Sequence, residues 1–150
     1  MATTQSHRSQ ERLALGTYVK LMRAANSGRN YASRSLSGTG LTLTQFAVLE
    51  ALYHLGPMSL SDIAQKVLTT GGNLTMVVGN LENQGLAGRQ RCPEDRRVLI
   101  VVLTAKGKAL IRRTFSQHAA AITEFLSILD PEEQGRLGDL CRKLGKQDPG

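Results

Sequence analysis

Residues 70–104 read TGGNLTMVVGNLENQGLAGRQRCPEDRRVLIVVLT, and the fold turns on how this stretch is read. Leu74, Val77, Val78 and Leu81 recur at i, i+3, i+4 and i+7, which places them on one apolar stripe and predicts an amphipathic helix over 71–84. Thr70 is positioned to cap its start, and Gly85 stands where a residue with positive φ would end it. The outer faces carry Asn73, Thr75, Met76, Gly79, Asn80 and Asn83. Two extended runs follow, 86–91 and 98–103, separated by a segment in which Pro93 disfavours regular strand and marks a hairpin tip. Arg89, Arg91, Arg96 and Arg97 crowd this hairpin, offset only by Glu94 and Asp95.

Most charge clusters are simply solvated faces. Four arginines within nine residues, directly after a capped amphipathic helix, favour instead a hairpin that lies against a polyanionic groove. The chain upstream agrees. Ser59 or Ser61 can cap a short helix over 62–67 with Ile63, Ala64 and Val67 inward, and Asp62 suits the positive end of its dipole. Only 68–70 separate that helix from the next, the pattern of a helix-turn-helix, with Gly71 and Gly72 one step later than the usual turn glycine. A helix-turn-helix followed by a basic hairpin is a winged DNA-binding lobe. On its second helix Asn73 can read adenine bidentately, while Thr75 and Met76 can meet a thymine methyl. Gly71 and Gly72 let backbone N–H groups approach a phosphate; Thr70 and Asn80 complete the set facing DNA, and Arg89 and Arg91 are placed for phosphate contact.

Asp95-Arg96-Arg97 through Leu103-Thr104 resembles the D-x-R-x5-L-T wing signature of the MarR family of bacterial transcriptional regulators, and Leu81-Glu82-Asn83-Gln84-Gly85-Leu86 resembles that family's L-E-x-x-G-L helix end. A looser similarity runs from Leu41 to Lys108. The resemblance implies a homodimeric winged helix protein that binds a palindromic operator, usually as a repressor released by a small molecule or an oxidant. It also implies that Arg97 enters the minor groove with Asp95 orienting it, and a guanidinium is indeed the group favoured in narrow minor grooves. In one respect the chain departs from the pattern: Gly79-Asn80 stands where many members carry charged residues. In related proteins a small aromatic or phenolic effector sits between the dimerisation helices and the DNA-binding lobe. The corresponding residues here are Met22, Arg23, Phe46, Leu49 and Tyr53, although apolar side chains at helical spacing are ordinarily core and that reading is the favoured one.

The fold class expected is mostly α with a small β-hairpin wing, in a single domain spanning 1–150. The winged lobe would occupy about 42–104, flanked by dimerisation helices at about 10–37 and 105–145. In the first of these Leu15, Tyr18, Val19, Met22 and Ala25 share a stripe. Gly38-Thr39-Gly40 reads as a hinge, and Thr42 with Gln45 reads as a capping box opening a helix that Gly56-Pro57 stops at Leu55. After the wing, 105–129 reads as one helix with Ile111, Phe115, Ile122, Phe125, Leu126 and Leu129 inward, roughly 37 Å long at 1.5 Å per residue. Asp130 caps a last helix, with Pro131 at its first position, running to about Lys143. Such an overhanging helix calls for a second copy of the chain, and a two-fold dimer calls for an inverted-repeat operator. The first few residues and 146–150 read as frayed.

Composition is consistent with this. The 150 residues suit one domain, 41% hydrophobic residues suffice for a core, and a formal charge of +7 favours a polyanionic partner, double-stranded DNA or a membrane surface alike. No apolar run approaches the roughly 20 residues of a membrane span, and the first twelve residues lack the apolar core of a signal peptide, so a cytoplasmic protein is expected. Cys92 and Cys141 have no Cys or His partner at ligand spacing, so neither a structural metal nor any other cofactor is expected. Cys92 sits among arginines that would favour a thiolate, yet an inert exposed thiol is the default reading; Cys141 reads as core. The competing classes are a winged helix used for protein contact and an enzyme. His7, His54 and His118 are isolated in sequence with no nucleophile or carboxylate pair beside them, so no catalytic residue is assigned.

Overall fold

The computed structural model describes residues 2–67 and 71–147. Its elements run α1 (Ala2–Ser35), α2 (Leu43–Leu55), β1 (Met58–Ser59), α3 (Leu60–Lys66), α4 (Gly71–Asn83), β2 (Ala87–Arg91), β3 (Leu99–Leu103), α5 (Ala105–Leu126) and α6 (Pro131–Gly145). The helical class with a small β wing is what the sequence predicts. The chain divides into two compact units, one built from 1–32 and 120–150, the other from 33–119. The division therefore falls inside α1 and α5.

The unit 33–119 has the larger core. Leu74, Val77, Val78 and Leu81 of α4 are all buried, as their spacing requires, and pack with Phe46, Val48 and Leu49 of α2, Ile63 of α3, Val101 of β3 and Ile111 of α5. Helix α2 opens with the predicted capping box: the Thr42 hydroxyl accepts from the Gln45 N–H at 3.2 Å, and the Gln45 side chain accepts from the Thr42 N–H at 3.0 Å. It closes at Gly56 with φ 84°, a left-handed conformation that glycine adopts without strain. Ser59, rather than Ser61, caps α3, which begins two residues earlier than predicted because Leu60 and Ser61 join its first turn. The proposed cap Thr70 and the turn 68–70 lie outside the described residues.

The sheet has three antiparallel strands in the order β1-β3-β2, so the hairpin is not alone. Met58 pairs with Val101 and Ser59 with Ile100, while β2 pairs along its length from Ala87 with Leu103 to Arg91 with Leu99. The two hairpin strands each start one residue later than the sequence suggests, at Ala87 and Leu99.

A tight joint follows the wing. Gly85 takes φ 70° and ends α4 in the left-handed manner anticipated. The Gln84 carbonyl accepts from Lys106 Nζ at 2.8 Å, the Gly85 carbonyl from the Thr104 hydroxyl at 2.6 Å, and the Leu86 carbonyl from the Thr104 N–H at 3.2 Å. The Thr104 hydroxyl in turn accepts from the Gly107 N–H at 3.0 Å and so caps α5. A Cβ at position 107 would collide with the Leu86 carbonyl oxygen, which explains the glycine in the first turn of α5.

In the unit formed by 1–32 and 120–150, α1 is helical from Ala2, eight residues before the predicted start near Gln10. Helix α5 ends at Leu126, three residues short of the expectation, so at 1.5 Å per residue it is roughly 33 Å long rather than 37 Å. The Asp130 capping box forms with Glu133, and Gln134 Nε2 donates to the Leu126 and Leu129 carbonyls at 3.1 and 3.0 Å, fixing the corner between α5 and α6. Helix α6 extends to Gly145, two residues past Lys143, with Lys146 as its C-cap. Tyr31 and Phe125 pack ring to ring at 5.3 Å, with Gly28 leaving room for Phe125. Of the predicted inward stripe of α5, Ile111 is buried, whereas Phe115, Ile122, Phe125, Leu126 and Leu129 are half-buried. Leu15, Tyr18, Val19 and Met22 of α1 and Leu137, Leu140 and Leu144 of α6 lie exposed on the single chain. Cys141 is exposed as well, a correction to its reading as core: no residue of α6 is buried within one chain.

Candidate nucleic-acid interface

Helix α4 turns its buried stripe into the core and leaves Asn73, Thr75, Met76 and Asn80 exposed, Met76 at 61%. A thioether so exposed, beside an amide and a hydroxyl, is the mixed surface that base edges in a major groove can meet. Gly71 and Gly72 form the first turn of this helix.

Beyond β2 the backbone tightens into the wing tip. The Cys92 N–H donates to the Val98 carbonyl at 2.9 Å and the Val98 N–H to the Asp95 carbonyl at 3.0 Å. Within that loop Asp95 Oδ1 accepts from the Arg97 backbone N–H and from Arg97 Nε, both at 3.1 Å, and Oδ2 accepts from Nη2 at 3.2 Å. Two parallel N–H to oxygen bonds fix the plane of the guanidinium, not only its position. The Arg97 side chain remains 90% exposed, so it is oriented without being covered. Its guanidinium, and then its backbone N–H, hold the Asp95 carboxyl below the ordinary 3.8, so the fork stays charged across the neutral range.

The remaining arginines differ sharply in state. Arg89 Nε lies 2.6 Å from Glu82 Oε1, tying β2 back to the last turn of α4. Arg91 Nη1 donates to the Arg96 carbonyl at 2.9 Å and so braces the far side of the tip. Arg96 itself is exposed and makes no side-chain hydrogen bond among the described residues. Cys92 is half-buried in this setting.

The residues suggested for an effector are drawn from both units. Phe46 and Leu49 belong to the core of the 33–119 unit, and the Tyr53 hydroxyl accepts from Arg112 Nε at 3.2 Å. Met22 and Arg23 belong to the other unit. Two histidines isolated in sequence acquire partners through folding: His118 Nδ1 lies 3.0 Å from the Ser35 hydroxyl with its ring 4.5 Å from Phe46. His54 lies 5.1 Å from the ring of Tyr53 and 5.2 Å from that of Phe115. Sequence spacing carries no sign of the contacts to α5, because they join its middle to Ser35 at the end of α1 and to α2. No group of three or more His, Cys, Asp or Glu among the described residues could hold a metal ion.

The sequence model of the MarR family matches residues 41–99, the segment from the start of α2 to the wing. The HTH-type transcriptional regulator MhqR of Bacillus subtilis (strain 168) is 37% identical over 132 residues, covering 88% of this chain and 91% of that protein. The chain belongs to the MarR family. Among solved structures, Bordetella bronchiseptica BpsR superposes with a TM-score of 0.79 at 27% identity, covering 85% of this chain and 91% of that one. Streptomyces coelicolor Sco3205, solved in complex with DNA, gives a TM-score of 0.79 at 26% identity, covering 94% and 90%. As a MarR-family member the protein is a DNA-binding transcriptional regulator, and α3, α4 and the β2–β3 wing form its winged helix-turn-helix. Among the described residues no helix is long and apolar enough to cross a membrane.

Proposed function

We propose that the protein is a homodimeric repressor of the cytoplasm that binds an inverted-repeat operator and is released by a small aromatic or phenolic molecule. The observation that carries the DNA contact is the Asp95–Arg97 fork, a guanidinium held in plane by two bonds yet open to solvent. A planar, weakly hydrated cation already oriented loses little freedom on entering a minor groove. In the same reading Asn73, Thr75 and Met76 meet base edges in the adjacent major groove, and Gly71, Gly72 and Asn80 line the approach to the backbone.

Dimerisation is supported by the exposed apolar residues of α1 and α6, among them Leu15, Val19, Leu137 and Leu140, which water would otherwise cover at a cost of about 25 cal/mol per Å². A two-fold dimer reads two half-sites related by the same two-fold, about 10 base pairs apart. Control by a small molecule finds support in BpsR, whose DNA binding is regulated by 6-hydroxynicotinic acid. A gel shift on the DNA upstream of the protein's own gene, across a salt series, tests the reading. A protected inverted repeat with steep salt dependence is the expected result; binding indifferent to sequence and symmetry would overturn it.

A further inference from the structure

Two of the bonds that hold the wing tip meet on a single peptide group. Arg91 Nη1 donates to the Arg96 carbonyl oxygen at 2.9 Å, and the Arg97 N–H, the other end of the same peptide, donates to Asp95 Oδ1 at 3.1 Å. The peptide is trans, so its carbonyl and its N–H point in opposite directions and the two partners stand on opposite sides of it. A peptide carries a dipole of about 3.5 D, negative at the oxygen and positive at the N–H. Here a guanidinium faces the oxygen and a carboxylate faces the N–H, so each charge lies at the end that favours it. Each bond polarises the peptide toward the other, which strengthens both.

The same peptide decides the conformation of the loop. Asp95 to Val98 form a β-turn closed by the Val98 N–H on the Asp95 carbonyl at 3.0 Å, and the Arg96–Arg97 unit is its central peptide. Types I and II of such a turn differ in the orientation of that unit. A flip would carry the Arg97 N–H away from Asp95 and unseat the carboxylate that aims the Arg97 guanidinium. Arg89 and Arg91, two apart on β2, leave the strand on one face. Arg89 is drawn back to Glu82, whereas Arg91, paired with Leu99 at the end of the ladder, reaches forward over the tip.

We propose that Arg91 is a positioning residue for the wing: it acts on DNA through Arg97, by locking the Arg96–Arg97 peptide, and not by a phosphate contact of its own. The functional half of this inference rests on Arg97 being the wing's DNA contact. The geometric half does not.

The geometric half is read in the free full-length protein from the Arg97 Nε–H resonance. Arg91→Ala should move that resonance to the position of a freely solvated arginine and speed its exchange with water, while the Val101 amide stays in place and reports an intact sheet. Arg91→Met, which keeps the apolar stem and removes the donors, should do the same. An Arg97 Nε–H that neither variant moves overturns the proposal, whatever the protein does with DNA. The functional half is a double-mutant cycle on operator binding at one salt concentration. Arg91→Ala should weaken binding about fivefold in the wild type, the scale of one hydrogen bond, and less than about twofold in the Arg97→Ala background. Equal losses in the two backgrounds would make Arg91 an independent phosphate contact and overturn the proposal. Arg97→Ala that binds as the wild type does refutes the wing as a DNA contact, and with it the functional half alone; the resonance still decides whether Arg91 holds the peptide.

Discussion

Arg89 and Glu82 form an ion pair at 2.6 Å, joining β2 to the final turn of α4. An arginine so engaged carries no net charge to a phosphate. We propose that it acts as a strut between helix and wing, where the sequence reading has Arg89 as a phosphate contact. Arg89→Ala should therefore weaken operator binding without changing the salt slope. Glu82→Gln, which frees the guanidinium, should steepen the log–log slope by about 0.9 if Arg89 then reaches a phosphate. Binding isotherms at four or five salt concentrations distinguish the two roles.

Arg97→Ala should weaken operator binding strongly, mainly at A·T-rich positions flanking the half-sites, while the dimer stays folded. Arg97→Lys should recover little, because an ammonium cannot make the two-pronged contact to Asp95 that fixes the group. Wild-type affinity retained by purified, folded Arg97→Ala across salt would remove the wing from the interface.

The same pair predicts a pH dependence. Asp95 has a carboxyl pKa below its ordinary 3.8, so the fork contributes fully above that ordinary value and is lost only as pH falls through the lowered one. Wing order, read from the Arg97 Nε–H resonance, should be flat from neutral pH down to about 5 and collapse only below the unperturbed value. Asp95→Asn should disorder the Arg97 side chain at every pH.

Gly107→Ala should destabilise the protein by about 1–3 kcal/mol, the usual cost of overpacking, since the new methyl meets a backbone carbonyl that cannot rotate aside. Gly79→Ala, with open space at its Cβ, should instead raise stability by up to about 1 kcal/mol through helix propensity. Thermal unfolding of the two variants side by side gives opposite signs.

Leu140→Glu should shift the protein toward monomer, because it places a charge within the exposed apolar stripe of α6. Sedimentation at micromolar concentration checks this, and an unchanged dimer would take α6 out of the interface.

The parts legible in sequence are those where local chemistry and period agree. Leu74 to Leu81 announce a helix by spacing alone, and the Thr42 and Asp130 boxes announce two more by their caps. Strand β1 was not legible, since Met58-Ser59 is too short for an alternation and exists through its pairing with Val101 and Ile100, more than forty positions away. Cys141 misleads for a related reason: the period of α6 marks an apolar face, but not whether that face is covered within the same chain. The wing arginines are visible as charge, whereas their division into one held in plane, two used as braces and one without a side-chain bond depends on loop geometry that composition does not encode.

Ser59 belongs to two structures at once. It pairs with Ile100 in the sheet, and its hydroxyl caps α3 by accepting from the Asp62 N–H at 3.1 Å. The helix-turn-helix and the sheet that carries the wing thus share a residue instead of merely touching, so that opening either one disturbs Ser59. Amide exchange should accordingly treat α3 and β3 as one cooperative unit, with protection rising and falling together at Ile63 and Val101. A regulator wired this way should grip with helix and wing as a single event, and let go of both at once.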